Sequence, residues 1–234
     1  MTATDRAFFD PLAVAYERYG RLHAHVYLPY LEENLPGQVD RAVDLGCGSG
    51  RFTPLLADRA DKVLAVDKAE KQVALAAERN PHSNVCYEQR DLMEVTVDRD
   101  GQFDTVLTVN TLFHLFAVHG AETVLEHVKS LVKPGGVAVI IDVVAPRSRS
   151  ALRQRLRGFR DVWATFKHSR SLRDAWFVFT FRQSKGWMAH VSTNAPFTPE
   201  QFREHYSARF PGAVLTERLG GDPHVSAVRW QRPS

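Results

Sequence analysis

Cysteine is scarce in this chain of 234 residues: Cys47 and Cys86 are the whole supply. That is too few for a disulfide framework and fits a reducing compartment. No apolar run exceeds five residues, the length of residues 137–141, against the ~20 that a membrane-spanning helix needs. The start, Met1-Thr2-Ala3-Thr4-Asp5-Arg6, lacks the basic-then-apolar pattern of a secretory signal, so a cytoplasmic location is expected. Neither charge sign dominates: 30 Lys and Arg against 27 Asp and Glu leave +3, and no global field argues for nucleic acid. Repeats and low-complexity tracts are absent. What is present, 44% apolar and 24% charged residues, is the balance of an ordinary globular protein.

Periodicity supplies the organisation. Phe8, Phe9, Leu12, Tyr16 and Tyr19 recur at helical spacing over residues 5–19, and a second helical stretch reaches residue 34, bent or split at Pro29. Beyond Pro36-Gly37, strands over residues 41–45, 62–66, 84–88, 103–109 and 137–141 alternate with helices over 51–59, 69–79 and 120–131. Lys133-Pro134-Gly135-Gly136 reads as a sharp stop. Such alternation predicts a parallel sheet with helices on both faces. Residues 146–195 break the rhythm with a helical, bulky, basic stretch. A helix over 199–209 and strands over 213–218 and 224–230 then close the chain. One domain with four parts follows: 1–37, 38–145, 146–195 and 196–234.

The most informative segment is Val43-Asp44-Leu45-Gly46-Cys47-Gly48-Ser49-Gly50, a strand running into three alternate glycines and then a helix. Glycine permits a tight turn and lets a ligand lie against bare backbone, while a helix amino terminus offers N–H groups to an anion. A dinucleotide-binding turn spaces its glycines G-x-G-x-x-G; here Arg51 stands where the last would fall. The G-x-G-x-G form, preceded by Asp44, resembles the first motif of class I S-adenosylmethionine-dependent methyltransferases. The resemblance continues over residues 38–142. Asp67 closes the second strand, Asp91 follows the third in Arg90-Asp91-Leu92, Asn110 closes the fourth, and Leu131-Val132-Lys133-Pro134-Gly135-Gly136 precedes the fifth.

That resemblance implies a Rossmann-like, doubly wound α/β fold: a mostly parallel seven-stranded sheet, an N-terminal helical lid and a helical insertion after the fifth strand. It implies S-adenosylmethionine as cofactor, held by Asp44, Gly46, Cys47, Gly48, Gly50, Asp67, Lys68, Asp91, Leu92, Asn110 and Tyr16. Asp67 would accept from two ribose hydroxyls and Asp91 would face the adenine amino group; helix capping is the structural alternative for both. Asp44 either holds the loop by accepting backbone N–H bonds or reaches the methionine amino group. Cys47 reads as a small filler, since its location alone makes no nucleophile.

A sulfonium methyl is already activated, which leaves the enzyme to align the acceptor, exclude water and remove any proton. By the resemblance, Asn110, Thr111, Leu112, Phe113 and His114 line that space. His114 is a candidate base or a structural histidine. The segment Phe9-Asp10 to Tyr16 resembles one preceding the domain in many small-molecule methyltransferases; Tyr16 then touches the donor, closes over the acceptor, or simply packs. His190 reaches the pocket or is a satisfied helix histidine. His23 and His25 have no assignment. Between Arg147 and Lys185, eleven basic residues against Asp161 and Asp174 give +9 in a chain of +3, with Phe159, Trp163, Phe166, Trp176, Phe177, Phe179, Phe181 and Trp187 interleaved. Three readings stand: an amphipathic cap with aromatics facing the core or a dimer partner, a pocket for an aromatic or carboxylated molecule, or a surface for single-stranded nucleic acid.

Absences narrow the chemistry further. Asn110 is not followed by Pro-Pro-aromatic, the signature of amino methylation of adenine or glutamine, and no Pro-Cys pair suggests cytosine carbon methylation. No cysteine trio is present to hold the iron–sulfur cluster that radical transfer requires, and Asp142 lacks a carboxylate set for magnesium. Metal-independent transfer to oxygen, nitrogen or activated carbon of a small metabolite is the expectation. Neither nucleic acid nor membrane is an expected partner, and the insertion is the suggested face of any homodimer. A peptide, protein or RNA acceptor, and a binding scaffold that transfers nothing, are the alternatives.

Overall fold

Seven short stretches rich in Val, Ile and Leu pair into one sheet, and their order decides where a ligand can sit. The computed structural model describes residues 14–146, 151–194 and 196–234. Its strands are β1 (Val39–Leu45), β2 (Ala60–Asp67), β3 (Val85–Gln89), β4 (Phe103–Val109), β5 (Val132–Val143), β6 (Val214–Glu217) and β7 (Val225–Gln231). They stand in the order β3-β2-β1-β4-β5-β7-β6. The first five are parallel to their neighbours, and β7 enters antiparallel between β5 and β6. The expected mostly parallel sheet is therefore the one that forms.

The helices are α1 (helical over described residues 14–23), α2 (Leu28–Asn34), α3 (Thr53–Ala57), α4 (Glu70–Arg79), α5 (Val97–Asp100), α6 (Phe116–His119), α7 (Ala121–Leu131), α8 (Ala151–Ser169), α9 (Leu172–Gln183), α10 (Lys185–Thr193) and α11 (Pro199–Arg209). Phe8, Phe9, Asp10 and Leu12 lie outside the described residues, as do Arg147, Arg149 and the side chains of Arg153, Arg155, Arg157 and Arg160. Among the described residues no helix is long and apolar enough to cross a membrane.

Strand side chains alternate between faces, and β5 shows what that achieves. Val137, Val139 and Ile141 join Leu31, Leu56 and Leu107 on one side. Ala138 and Ile140 join Val106, Leu125, Tyr206 and Trp230 on the other. Each fully buried Leu, Ile or Phe in these two layers contributes roughly 1.5–3 kcal/mol relative to exposure.

Two local expectations are corrected. The helix before Lys133-Pro134-Gly135-Gly136 ends at Leu131 as expected, but that segment is no separate turn: it lies inside β5, where Val132 pairs with Phe103 and the register slips before Thr105 meets Val137. A Cβ at Gly136 would lie 2.9 Å from the carbonyl oxygens of Lys133 and Asp104, so the bulge needs glycine. The helix expected over residues 51–59 is the shorter α3, opened by Pro54 in its first turn. Pro29 does split its region, sitting in the first turn of α2.

Polar residues divide the insertion. Arg170 takes a left-handed conformation (φ 54°) after α8. Ser171 accepts from the Asp174 N–H to cap α9, and Ser184 accepts from the Trp187 N–H to cap α10. The inner face of α9 docks on α1 through the Arg18–Asp174 ion pair at 2.7 Å and the Arg182 guanidinium donating to the Tyr19 hydroxyl at 2.9 Å. Arg182 also pairs with Asp161 of α8 at 2.5 Å. Phe181 stacks on Tyr19 with ring centres 5.0 Å apart, and Trp187 meets it at a tilt with centres 5.1 Å apart. Phe159, Trp163 and Trp176 instead face outward, so the aromatics serve two surfaces.

Candidate functional site

Sheet order reverses between β1 and β4, where connections leave to opposite sides and open a crevice at the strands' carboxyl ends. Across that edge stand Asp91 after β3, Asp67 at the end of β2, the glycine turn after β1, and Asn110 after β4. Tyr16, Asp44, Gly46, Cys47, Gly48, Asp67, Lys68, Asp91, Leu92, Asn110 and His114 all line one cavity there. Of the residues expected at the site, Gly50, Leu112, Phe113 and His190 are not on its wall; Leu112 and Phe113 are buried in the core instead.

The three glycines share positive φ (77°, 54° and 71° at positions 46, 48 and 50) but have different neighbours. A Cβ at Gly46 would lie 2.2 Å from Thr111 Cγ2, and one at Gly50 would lie 2.9 Å from Ala76 Cβ on α4. At Gly48 it would meet nothing within 4 Å. Gly46 and Gly50 therefore permit close packing, while Gly48 leaves bare backbone on the cavity.

The carboxylates are held by backbone. Asp67 accepts from the Gly48 N–H through Oδ2 at 2.9 Å and from the Ala69 N–H through Oδ1 at 2.8 Å. Burial raises its pKa, opposed by these bonds. Asp91 accepts from the Met93 N–H at 3.0 Å, capping the short turn after it, and pairs with Lys68 Nζ at 2.7 Å. Burial would raise the Asp91 pKa, but Lys68 and the Met93 N–H bring it below the usual value. Asp91 thus makes the capping contact of the alternative reading, whereas Asp67 clamps the glycine turn and caps no helix; both line the cavity. Asp44 holds the loop by accepting from the Thr53 hydroxyl at 2.7 Å, and burial pushes its pKa up to about 7. Burial drives the Cys47 thiol far up, which agrees with a filler.

Asn110 sits at φ 55°, a conformation asparagine tolerates better than most residues. Its N–H bonds the Ile141 carbonyl at 2.7 Å and its Nδ2 donates to the Tyr27 hydroxyl at 2.9 Å, leaving Oδ1 buried without a partner. Above the floor, His114 Nδ1 meets Asn194 Oδ1 at 2.9 Å, and its ring centre is 5.2 Å from that of His190. Burial pushes the His114 pKa down to about 4, against the Asn194 hydrogen bond. Tyr16 approaches Trp187 and His190 with ring centres 6.4 and 6.5 Å away. His190 belongs behind His114 rather than on the wall. His25 stacks on His168 with ring centres 3.9 Å apart, and neither it nor His23 lines the cavity.

Sequence reasoning missed Asn194, eighty residues from His114, and Arg51, registered only as a missing glycine. Arg51 lines the cavity with its Nε buried and, among the described residues, without a hydrogen-bond partner. Its one sequence signal is a cation immediately after a glycine turn. Together, the bare Gly48 face, the carboxylates at the ends of β2 and β3, and the orphaned Asn110 Oδ1 and Arg51 Nε fit a nucleoside cofactor with a tail bearing both charges.

A methyltransferase-domain family model matches residues 42–136. The chain is 25% identical over 207 residues to an uncharacterised methyltransferase of Mycobacterium tuberculosis, covering 88% of this chain and 94% of that protein. It is 30% identical over 113 residues to the ubiquinone biosynthesis O-methyltransferase of Acinetobacter baylyi, covering 47% of this chain and 46% of that one. Among solved structures, a chain of the complex between the Haloferax volcanii Trm112 methyltransferase activator and a methyltransferase superposes with TM-score 0.69 at 15% identity, covering 98% and 97% of the two chains. The DhpI–SAM–HEP complex superposes with TM-score 0.64 at 22% identity, covering 98% and 96%. The sheet order, the glycine turn and these matches agree: the chain carries a methyltransferase domain over residues 42–136, on the fold of the class I S-adenosylmethionine-dependent methyltransferases.

Proposed function

We propose that this enzyme methylates an oxygen, nitrogen or activated carbon of a small molecule held between the cofactor floor and the roof made by α1 and α10. The observation that carries the reading is the roof itself: Tyr16, His114, Trp187 and His190 cluster within ring-contact distance above the carboxyl ends of β1 and β4. Such an enclosure suits a compact, flat acceptor better than a chain segment.

Asp67 accepts the ribose hydroxyls and Asp91 the adenine amino group, with Lys68 and Leu92 beside them. Gly48 offers bare backbone, and Asn110 Oδ1 takes a donor from the amino acid tail, with Asp44 beside it as a further acceptor. S-adenosylmethionine, when bound, supplies a methyl on a cationic sulfur. Burial keeps His114 neutral, so no imidazolium repels that cation. Its low basicity makes it a hydrogen-bonding guide for the acceptor more than a strong base. Tyr16 closes the roof as a neutral phenol, and the packed rings exclude water. His190 supports His114 from behind. No step calls on a metal.

The test supplies S-adenosylmethionine with a heavy-isotope methyl to purified protein and a host extract, then follows the label by mass spectrometry. Label in a low-mass compound is expected. Label in protein or RNA would move the acceptor to a macromolecule. Tight cofactor binding with no transfer in any fraction would favour the scaffold reading.

A further inference from the structure

One side of the insertion is packed and another is bare. On α9, Ala175, Val178 and Phe181 are buried, yet Leu172, Trp176 and Phe179 run along a different side at steps of four and three residues. Phe159, Trp163 and Phe166 repeat that spacing on α8, and the two stripes join where the Phe159 and Phe179 rings stand 5.6 Å apart. Trp176 stacks on Phe179, also at 5.6 Å, and Trp163 meets Phe166 at 6.3 Å. Phe159, Trp163, Leu172 and Trp176 are 60–76% exposed, and no other Phe, Tyr or Trp among the described residues is so open. A helix apolar on more than one side is normally buried, so α9 lacks part of its cover.

The charges beside these stripes are of one sign. Residues 147–185 contain two acids, and both are spent on internal ion pairs: Asp161 on Arg182 and Asp174 on Arg18. Lys167, Arg170 and Arg173 are exposed in the same stretch, and the Lys167 ammonium stands 5.8 Å from the centre of the Trp163 ring. Two copies of such a face would meet cation against cation with no acid to answer, which argues against a second copy of this chain. A single nucleic-acid strand needs a groove that follows its backbone. These stripes lie instead on the outside of two helices and include Leu172, which has no ring to stack.

We propose that this face of α8 and α9 docks on an anionic lipid surface. Trp and Phe rings suit the boundary between headgroups and acyl chains, and Lys and Arg suit the phosphates above it. Such docking lays the helices along the surface and needs no spanning segment. The lack of a long apolar run, from which no membrane partner is expected, therefore does not bear on it. The inference rests on the outer face of the insertion and stands whatever the acceptor proves to be.

The test sediments the whole chain with vesicles of phosphatidylcholine alone and with vesicles of equal parts phosphatidylcholine and phosphatidylglycerol. Wild type should bind the anionic vesicles roughly tenfold or more tighter than the neutral ones, and added salt should weaken that binding. Trp163→Ser with Trp176→Ser, and separately Lys167→Glu with Arg173→Glu, should each weaken it by roughly tenfold or more. Both pairs are exposed, so thermal melts and S-adenosylhomocysteine affinity should stay near those of wild type. A wild-type protein that ignores both kinds of vesicle overturns the proposal without any variant, as does equal binding to the two. So does vesicle binding that both double variants retain. Binding of a single-stranded oligonucleotide, or self-association, that vanishes in these variants while vesicles go unbound would also overturn it, and would give the face to nucleic acid or to a second copy.

Discussion

The floor and the roof of this cavity are built by different means. On the floor, Asp67 and Asp91 are gripped by backbone N–H groups two to nineteen residues away in the chain. In the roof, side chain meets side chain across long sequence distances: Arg18 with Asp174 is 156 residues apart, Arg182 with Tyr19 is 163, and His114 with Asn194 is 80. Backbone clamps survive most substitutions around them, because every residue but proline supplies the same N–H. A roof of paired side chains can change its lining one pair at a time. The difference teaches that, on the function proposed above, donor recognition is a property of the sheet and acceptor recognition a property of what is laid over it.

The comparison breaks most readily at Asp67. Asp67→Ala removes both clamp and ribose acceptor, and S-adenosylhomocysteine affinity should fall on the order of a hundredfold, from two charge-assisted hydrogen bonds. Calorimetry that finds affinity unchanged would remove the residue from the donor site.

His114 tests the roof at an intermediate scale. His114→Ala should lower turnover by roughly tenfold to a hundredfold, toward the low end of acid–base effects, while S-adenosylhomocysteine binds as before. Because burial holds this histidine near a pKa of about 4, it stays neutral at every pH above about 5. Its contribution should be lost only as pH falls toward 4, and the profile of kcat should carry no His114-dependent inflection near 6.5. An inflection there that vanishes in the variant would contradict the buried, neutral imidazole.

The smallest effect is expected at Arg18. It is partly exposed, and Arg18→Ala should cost no more than about 1 kcal/mol, the scale of a surface ion pair. Thermal melts should shift by a few degrees at most, with donor binding intact. A loss of donor affinity comparable to that of Asp67→Ala would show that roof and floor are not separable.

Much of the floor was readable from the chain. The glycine turn and Asp67, Asp91 and Asn110 each lie at the carboxyl end of a strand recognisable from its apolar run, and a strand's end fixes which edge of a parallel sheet its residue reaches. The same logic could not place Gly50, whose role depends on the approach of Ala76. It also misjudged Lys133-Pro134-Gly135-Gly136, because proline and glycine signal a break equally in a stop and in a bulge.

By itself, then, the sequence determined the strand and helix alternation, the donor turn and the acidic residues beside it, since each depends on contacts within a few residues. Tertiary structure alone decided which face of α9 meets α1, that His190 lies beside His114 and off the cavity wall, and that Arg51 lines the cavity with a buried Nε. These are consequences of burial and of pairs far apart in the chain, and no local pattern encodes the distance between them.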